Sequence, residues 1–183
     1  MKFKFPSPRP KKIAKTTLRL FLRKRMMYYV VPNIVFNTLV AYASFQEVGY
    51  THFFAGSQSL ARLTLPMAIF LPLILTVDII KRVSEAAHQG AIEYRIVDEL
   101  NKNRFMAKLA IMHALSTGLL ILSFLVLAQL SLSEYYKLDP APMAILDGFL
   151  AGILSVLFTY LPIRKLKKHF YKPVSIVTVN ENE

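Results

Sequence analysis

Apolar positions along the chain gather into four blocks, each set off by polar, charged or Pro/Gly-marked segments. A helix that crosses the hydrocarbon of a bilayer needs about 20 mostly apolar residues. Four stretches meet that length: 26–46, 63–80, 108–131 and 143–163. The first is the most polar, because it holds Pro32, Asn33 and Asn37. The second contains Pro66 and Pro72, and the third carries the most apolar run, LLILSFLVLAQL. Proline inside a soluble helix costs about 3 kcal/mol. Within a membrane, neighbouring helices and hydroxyls can take up the freed carbonyls, so these prolines predict kinks, not breaks.

The pattern predicts an all-α integral membrane protein with four transmembrane helices arranged as two helical hairpins. It divides the chain into a basic tail with an amphipathic helix (1–25), a first hairpin (26–82), a cytoplasmic helical loop (83–107), a second hairpin (108–164) and a basic, polar tail (165–183). Lys and Arg beside the span ends set orientation. Ten precede the first span, six lie at 81–108, and five follow the fourth span. The two remaining loops carry one each, Arg62 and Lys137. Both chain ends and the central loop are therefore expected on the cytoplasmic side. The competing reading is a signal peptide cut near Ala41-Tyr42-Ala43. Its basic region would be 25 residues long, and its loss would leave three spans with the wrong charge parity.

The loops joining spans one to two and three to four are short and aromatic, with Tyr50, Phe53, Phe54, Tyr135 and Tyr136 suited to headgroup depth. The hairpins also echo one another. Ser44-Phe45 matches Ser123-Phe124, and DIIKRV at the end of span two matches LPIRKLKK at the end of span four. A duplication would give parallel repeats. With its Pro162-Ile163-Arg164-Lys165 exit, the chain resembles uncharacterised bacterial inner-membrane families built from a two-helix unit ending in a basic P-x-R-R/K. The resemblance covers the hairpins and implies a multi-pass protein of the inner membrane. It implies no activity.

Residues 1–10 are Pro-rich and basic, a composition of disordered segments. Residues 11–25 read as a basic amphipathic helix, with Ile13, Thr17, Leu20 and Phe21 near one face. Its Lys11, Lys12, Lys15, Arg19, Arg23, Lys24 and Arg25 are candidate contacts to an anionic inner leaflet. Residues 81–107 mix signs and read as helix with Gly90 as a weak point. Glu85 and His88 form one E-x-x-H; a di-iron site needs two such units. Residues 173–183 alternate like a short strand, which is not stable alone.

Polar groups inside hydrocarbon are costly and face the bundle interior. Asn33 and Asn37 share a face of span one. In span four, Ala144, Gly148, Gly152 and Ser155 form a small-residue stripe containing G-x-x-x-G, a helix-packing motif. Asp147 lies roughly 6 Å inside span four and His113 about as deep from the other side, at 1.5 Å rise per residue. These two are expected to sit apart.

The composition narrows the function classes. The chain has 183 residues, 54% of them hydrophobic, and a formal net charge of +12. Those charges border apolar blocks, so the basic balance points to membrane and not to nucleic acid. There is no cysteine and no tryptophan. Thiolate chemistry and disulfides are thereby excluded. There is no H-E-x-x-H, phosphate loop or Ser-His-Asp context, so neither an enzyme nor a cofactor or metal is expected. The expected partners are the bilayer, a second copy or another membrane protein. The favoured class is an interaction or accessory protein: scaffold, subunit or lipid-contacting factor. The alternative is a small transporter or channel using Asn33, Asn37, His113 and Asp147.

Overall fold

The computed structural model of the chain describes residues 16–46, 49–56, 59–96, 101–132 and 137–171. Four long helices dominate it: α1 (Leu18–Gln46), α2 (Leu60–His88), α3 (Lys102–Ser131) and α4 (Pro140–Leu166). All four are long and apolar enough to cross a membrane. At 1.5 Å per residue the 29 residues of α2 reach about 44 Å. That exceeds a hydrocarbon core of about 30 Å. The excess lies at one end, where the helices run on into polar sequence.

Each helix boundary has a local cause. Asp139 caps α4 by accepting from the Ala141 amide at 3.1 Å, with Pro140 at the first turn. Asn101 caps α3 by accepting from the Arg104 amide at 3.2 Å. α2 stops at a left-handed Gly90 (φ 67°). The Ala91 amide donates to Ala86 and the Gly90 amide to Ala87, the paired closure of a Schellman motif. A Cβ at position 90 would meet nothing within 4 Å, so only the backbone conformation opposes it. Gly90→Ala is therefore expected to cost about 1 kcal/mol, lowering the thermal midpoint by about 2–4 °C in a melt. α1 and α2 run unbroken through Pro32, Pro66 and Pro72.

The structure differs from the sequence reading in three places. Residues 18–25, expected within a separate amphipathic helix, are the opening turns of α1, and their Leu18 and Leu22 are buried in the core. Lys11, Lys12 and Lys15 lie outside the described residues, as does 173–183. The stretch 83–107 is not one helical loop. It continues α2 to His88, turns at Gly90, forms a short strand β1 (Arg95–Ile96), and enters α3 at Lys102. β1 pairs antiparallel with β2 (Phe170–Tyr171), which follows α4.

The third difference is the helix order. α1 packs against α4, α3 packs against α2, and α2 packs against α4. The sequential pairs α1–α2 and α3–α4, read from the sequence as two helical hairpins, share little interface. Lipid tails are as apolar as leucine, so close backbone approach decides which helices associate. α4 offers that approach to α1 through Gly148 and Gly152, and α3 offers it to α2 through Gly118.

Burial follows the same spacing along α2 and α4. Ala61, Thr64, Ala68, Thr76 and Ile80 of α2 are buried, and at the same spacing so are Ala144, Asp147, Ala151, Thr159 and Ile163 of α4. Around this central pair, α1 leans on α4 and α3 leans on α2. The expected match of Ser44-Phe45 with Ser123-Phe124 does not hold in packing: Phe45 is fully buried and Phe124 is exposed.

Both ends of the bundle are tied. At one end, the Thr16 amide donates to Ala91 at 2.9 Å, and β1 pairs with β2. Beneath these ties lies the largest apolar cluster, with Leu22, Ile80, Val83, Met106 and Leu166 from all four helices. At the other end, Thr51 and Leu138 exchange backbone hydrogen bonds at 3.0 and 2.9 Å. The Lys137 ammonium sits 4.4 Å from the Tyr50 ring there. Among the described residues, the Lys and Arg of that end are Arg62 and Lys137. The first end holds the rest.

Candidate functional site

Polar side chains inside the apolar bundle form separate small sites. In the α1–α4 seam, the Asn33 amide donates to Ser155 Oγ at 2.9 Å. Ser155 in turn donates to the Ala151 carbonyl at 2.8 Å. Asn37 turns back on its own helix and donates to the Asn33 carbonyl at 2.8 Å. In the α2–α3 seam, Thr76 Oγ1 lies 3.0 Å from His113 Nδ1. The His113 ring packs on Phe158 of α4, with centroids 5.1 Å apart. At the α2–α4 contact, Thr64 Oγ1 donates to Asp147 Oδ1 at 2.8 Å.

These sites do not connect into a path. Thr64 and Thr76 are roughly 18 Å apart along α2, so Asp147 and His113 occupy different depths. Asn33 and Asn37 share one side of α1 but reach neither. His113 and Asp147 sit apart, and each is held by a threonine. Asp147 lies roughly 10 Å beyond the start of α4, deeper than the span boundary at 143 implied. Among the described residues no three His, Asp or Glu side chains come together as metal ligands, and Glu85 and His88 stand without a second pair.

Gly148 and Gly152 lie against α1. A Cβ on Gly148 would run into Thr38 Oγ1 and approach the Ile34 carbonyl at 3.0 Å. A Cβ on Gly152 would meet only the Ile34 side chain, at 2.8 Å. Ala144 and Ser155 continue the buried stripe. Reading single helices could not find Gly118, whose absent Cβ leaves room for Ile69 of α2 at 2.8 Å. Nor could it find Thr64 and Thr76. A single threonine in a span gains meaning only from the register between two spans.

At the basic end, Asp78 is held by two helices. Arg82 Nε donates to Asp78 Oδ2 at 2.7 Å, and the Tyr29 hydroxyl of α1 donates to the same oxygen. The Asp78–Arg82 pair lies within α2, four residues apart, and the tyrosine reaches it from another helix. At the same end of the bundle, two adjoining clefts of about 400 and 340 Å³ run between α1 and α4. Both are lined by Tyr160; Arg19 and Arg23 line one, Arg164 and Lys167 the other. Lys24 and Arg25 lie on the same turns of α1. Four cations around an aromatic ring can receive a phosphate oxygen.

A further groove of about 350 Å³ opens at the surface of the bundle. α2, α3 and α4 form it, and Thr64 and Asp147 lie among its apolar lining.

Comparison of the chain with models of protein families, with curated proteins and with solved structures finds no match.

Proposed function

We propose that this chain is a multi-pass protein of the cytoplasmic membrane that works by association, as a scaffold, an accessory subunit or a lipid-contacting factor. In this reading the basic end faces the cytoplasm, since Lys and Arg are retained on that side. The observation that carries it is the position of α1. Only 6% of its most apolar stretch is buried, against 39%, 44% and 44% for the other helices. α1 touches its neighbours along a narrow seam and leaves Tyr28, Phe36 and Leu39 exposed around the rest of its circumference. The same helix carries Arg19 and Arg23 into the clefts beside Tyr160. One helix thus offers an apolar, aromatic face to a partner or lipid and a cationic face to anionic headgroups.

Transport through Asn33, Asn37, His113 and Asp147 is the weaker reading, because their hydrogen bonds close locally instead of forming a chain through the midplane.

The test is native mass spectrometry of the protein extracted with its own lipids. A defined homo-oligomer, a stoichiometric protein partner or retained anionic phospholipid is the expected result. Under the last outcome, charge removal at Arg19, Arg23, Arg164 and Lys167 should release the lipid. A bare monomer that holds neither protein nor lipid would contradict the proposal.

A further inference from the structure

We propose that the groove over Asp147 is a binding site for a lipophilic ammonium ion, whose apolar tail lies among the groove's side chains and whose charged nitrogen meets the Asp147 carboxylate. The site is independent of the association reading: it sits on a different face, far from α1's exposed surface and from the basic clefts.

The carboxylate is the first part of the case. Asp147 is 4% exposed, set among Leu60, Ile121, Leu125 and Leu150. An acidic group in hydrocarbon loses its water, and the cost falls only as far as partners replace that water. Thr64 supplies one hydrogen bond, to Oδ1. Among the described residues nothing else donates to the carboxylate, and no cation pairs with it. The Lys and Arg side chains of the far end belong to Arg62 and Lys137, and neither lines the groove. Ser155 in the neighbouring seam closes its bond within its own helix, donating to the Ala151 carbonyl. Asp147 instead keeps acceptor capacity, at the edge of an open space.

The second part is the space. The groove holds about 350 Å³, which falls in the range of small-molecule sites. Apart from Thr64 and Asp147 its lining is aliphatic and aromatic. Phe124 and Leu146, at the rim, are exposed. A ligand can therefore enter sideways from the bilayer without crossing a polar barrier. An anionic lipid is disfavoured by like charge at Asp147, and a plain acyl chain would leave the carboxylate as poorly solvated as before. A protonated amine on an apolar tail satisfies both parts of the lining at once, through charge-assisted N–H···O bonds.

The chain's lack of tryptophan makes the test direct. Phe124→Trp places a sole tryptophan on the groove rim, and Leu119→Trp places one on the outer face of α3 as a control. Both proteins are reconstituted in nanodiscs of zwitterionic phospholipid and titrated with dodecylammonium or with dodecanol, which shares the tail and lacks the charge. The expected result is a saturable change in emission from the Phe124→Trp reporter with dodecylammonium, at least tenfold weaker with dodecanol, and no saturation from the Leu119→Trp control. Asp147→Asn in the reporter background should weaken dodecylammonium binding at least tenfold. Equal binding of the two head groups, equal binding by the Asp147→Asn variant, or no saturation from the rim reporter would each overturn the proposal. If Asp147→Asn fails to fold, the comparison of the two head groups on the reporter protein decides alone.

Discussion

Gly148→Leu should unseat α1 from α4, with a loss of about 3 kcal/mol or more, at the upper end of the cost of overpacking. The reason is what the new side chain meets. At position 148 even a Cβ collides with Thr38 Oγ1 and crowds the Ile34 carbonyl. A carbonyl in a helix cannot move aside without moving the helix. At position 152 the obstacle is the end of the Ile34 side chain, which can turn to another rotamer. The two glycines of one motif are therefore unequal. Gly148→Ala should lower the thermal midpoint in detergent clearly more than Gly152→Ala, and Gly148→Leu should free α1 to proteolysis near its ends. Equal effects at both positions would mean that α1 does not approach α4 as described.

Ala151→Leu is expected to be as damaging, by a different route. Ala151 is fully buried one turn beyond Asp147, and Ala68 is fully buried one turn beyond Thr64. α2 and α4 run in the same direction, so both alanines lie one turn beyond the Thr64–Asp147 hydrogen bond, toward the basic end. Leucine there pushes apart the central pair on which both outer helices lean. A loss of about 3 kcal/mol is expected, and the matched change Ala68→Leu should do the same. The double variant should lose less than the sum, since the first substitution already opens the contact. Chemical denaturation of the reconstituted proteins measures all three. Additive losses would place the two alanines in separate contacts.

The four long apolar helices were legible because a continuous apolar run is written locally in the sequence. Their basic ends were not. α2 extends to His88 through Lys81, Arg82 and Glu85, where polarity hides a helix that still buries Val83, Ala86 and Ala87. Gly90 read as a weak point and is the residue that ends α2. Gly148 and Gly152 stood out by spacing, since both lie on one helix. Gly118, Thr64 and Thr76 did not, because each matters only through a residue on another span. The small contact within each hairpin was not legible for a related reason. Short loops favour neighbouring helices, but glycine placement outweighed loop length and sent α1 to α4 and α3 to α2.

That exchange of partners is the centre of the account, because it builds both the α1 edge and the groove over Asp147. A chain with no cysteine allows it to be tested by paired cysteines. Asn33 and Ser155 are in side-chain contact at 2.9 Å across the α1–α4 seam. Oxidation of an Asn33→Cys/Ser155→Cys protein in native membranes should give a rapid intramolecular disulfide. Pairing Asn33→Cys with a cysteine at Leu71 of α2 should give little. Efficient α1–α2 cross-linking with none between α1 and α4 would restore the compact hairpins and contradict the packing described.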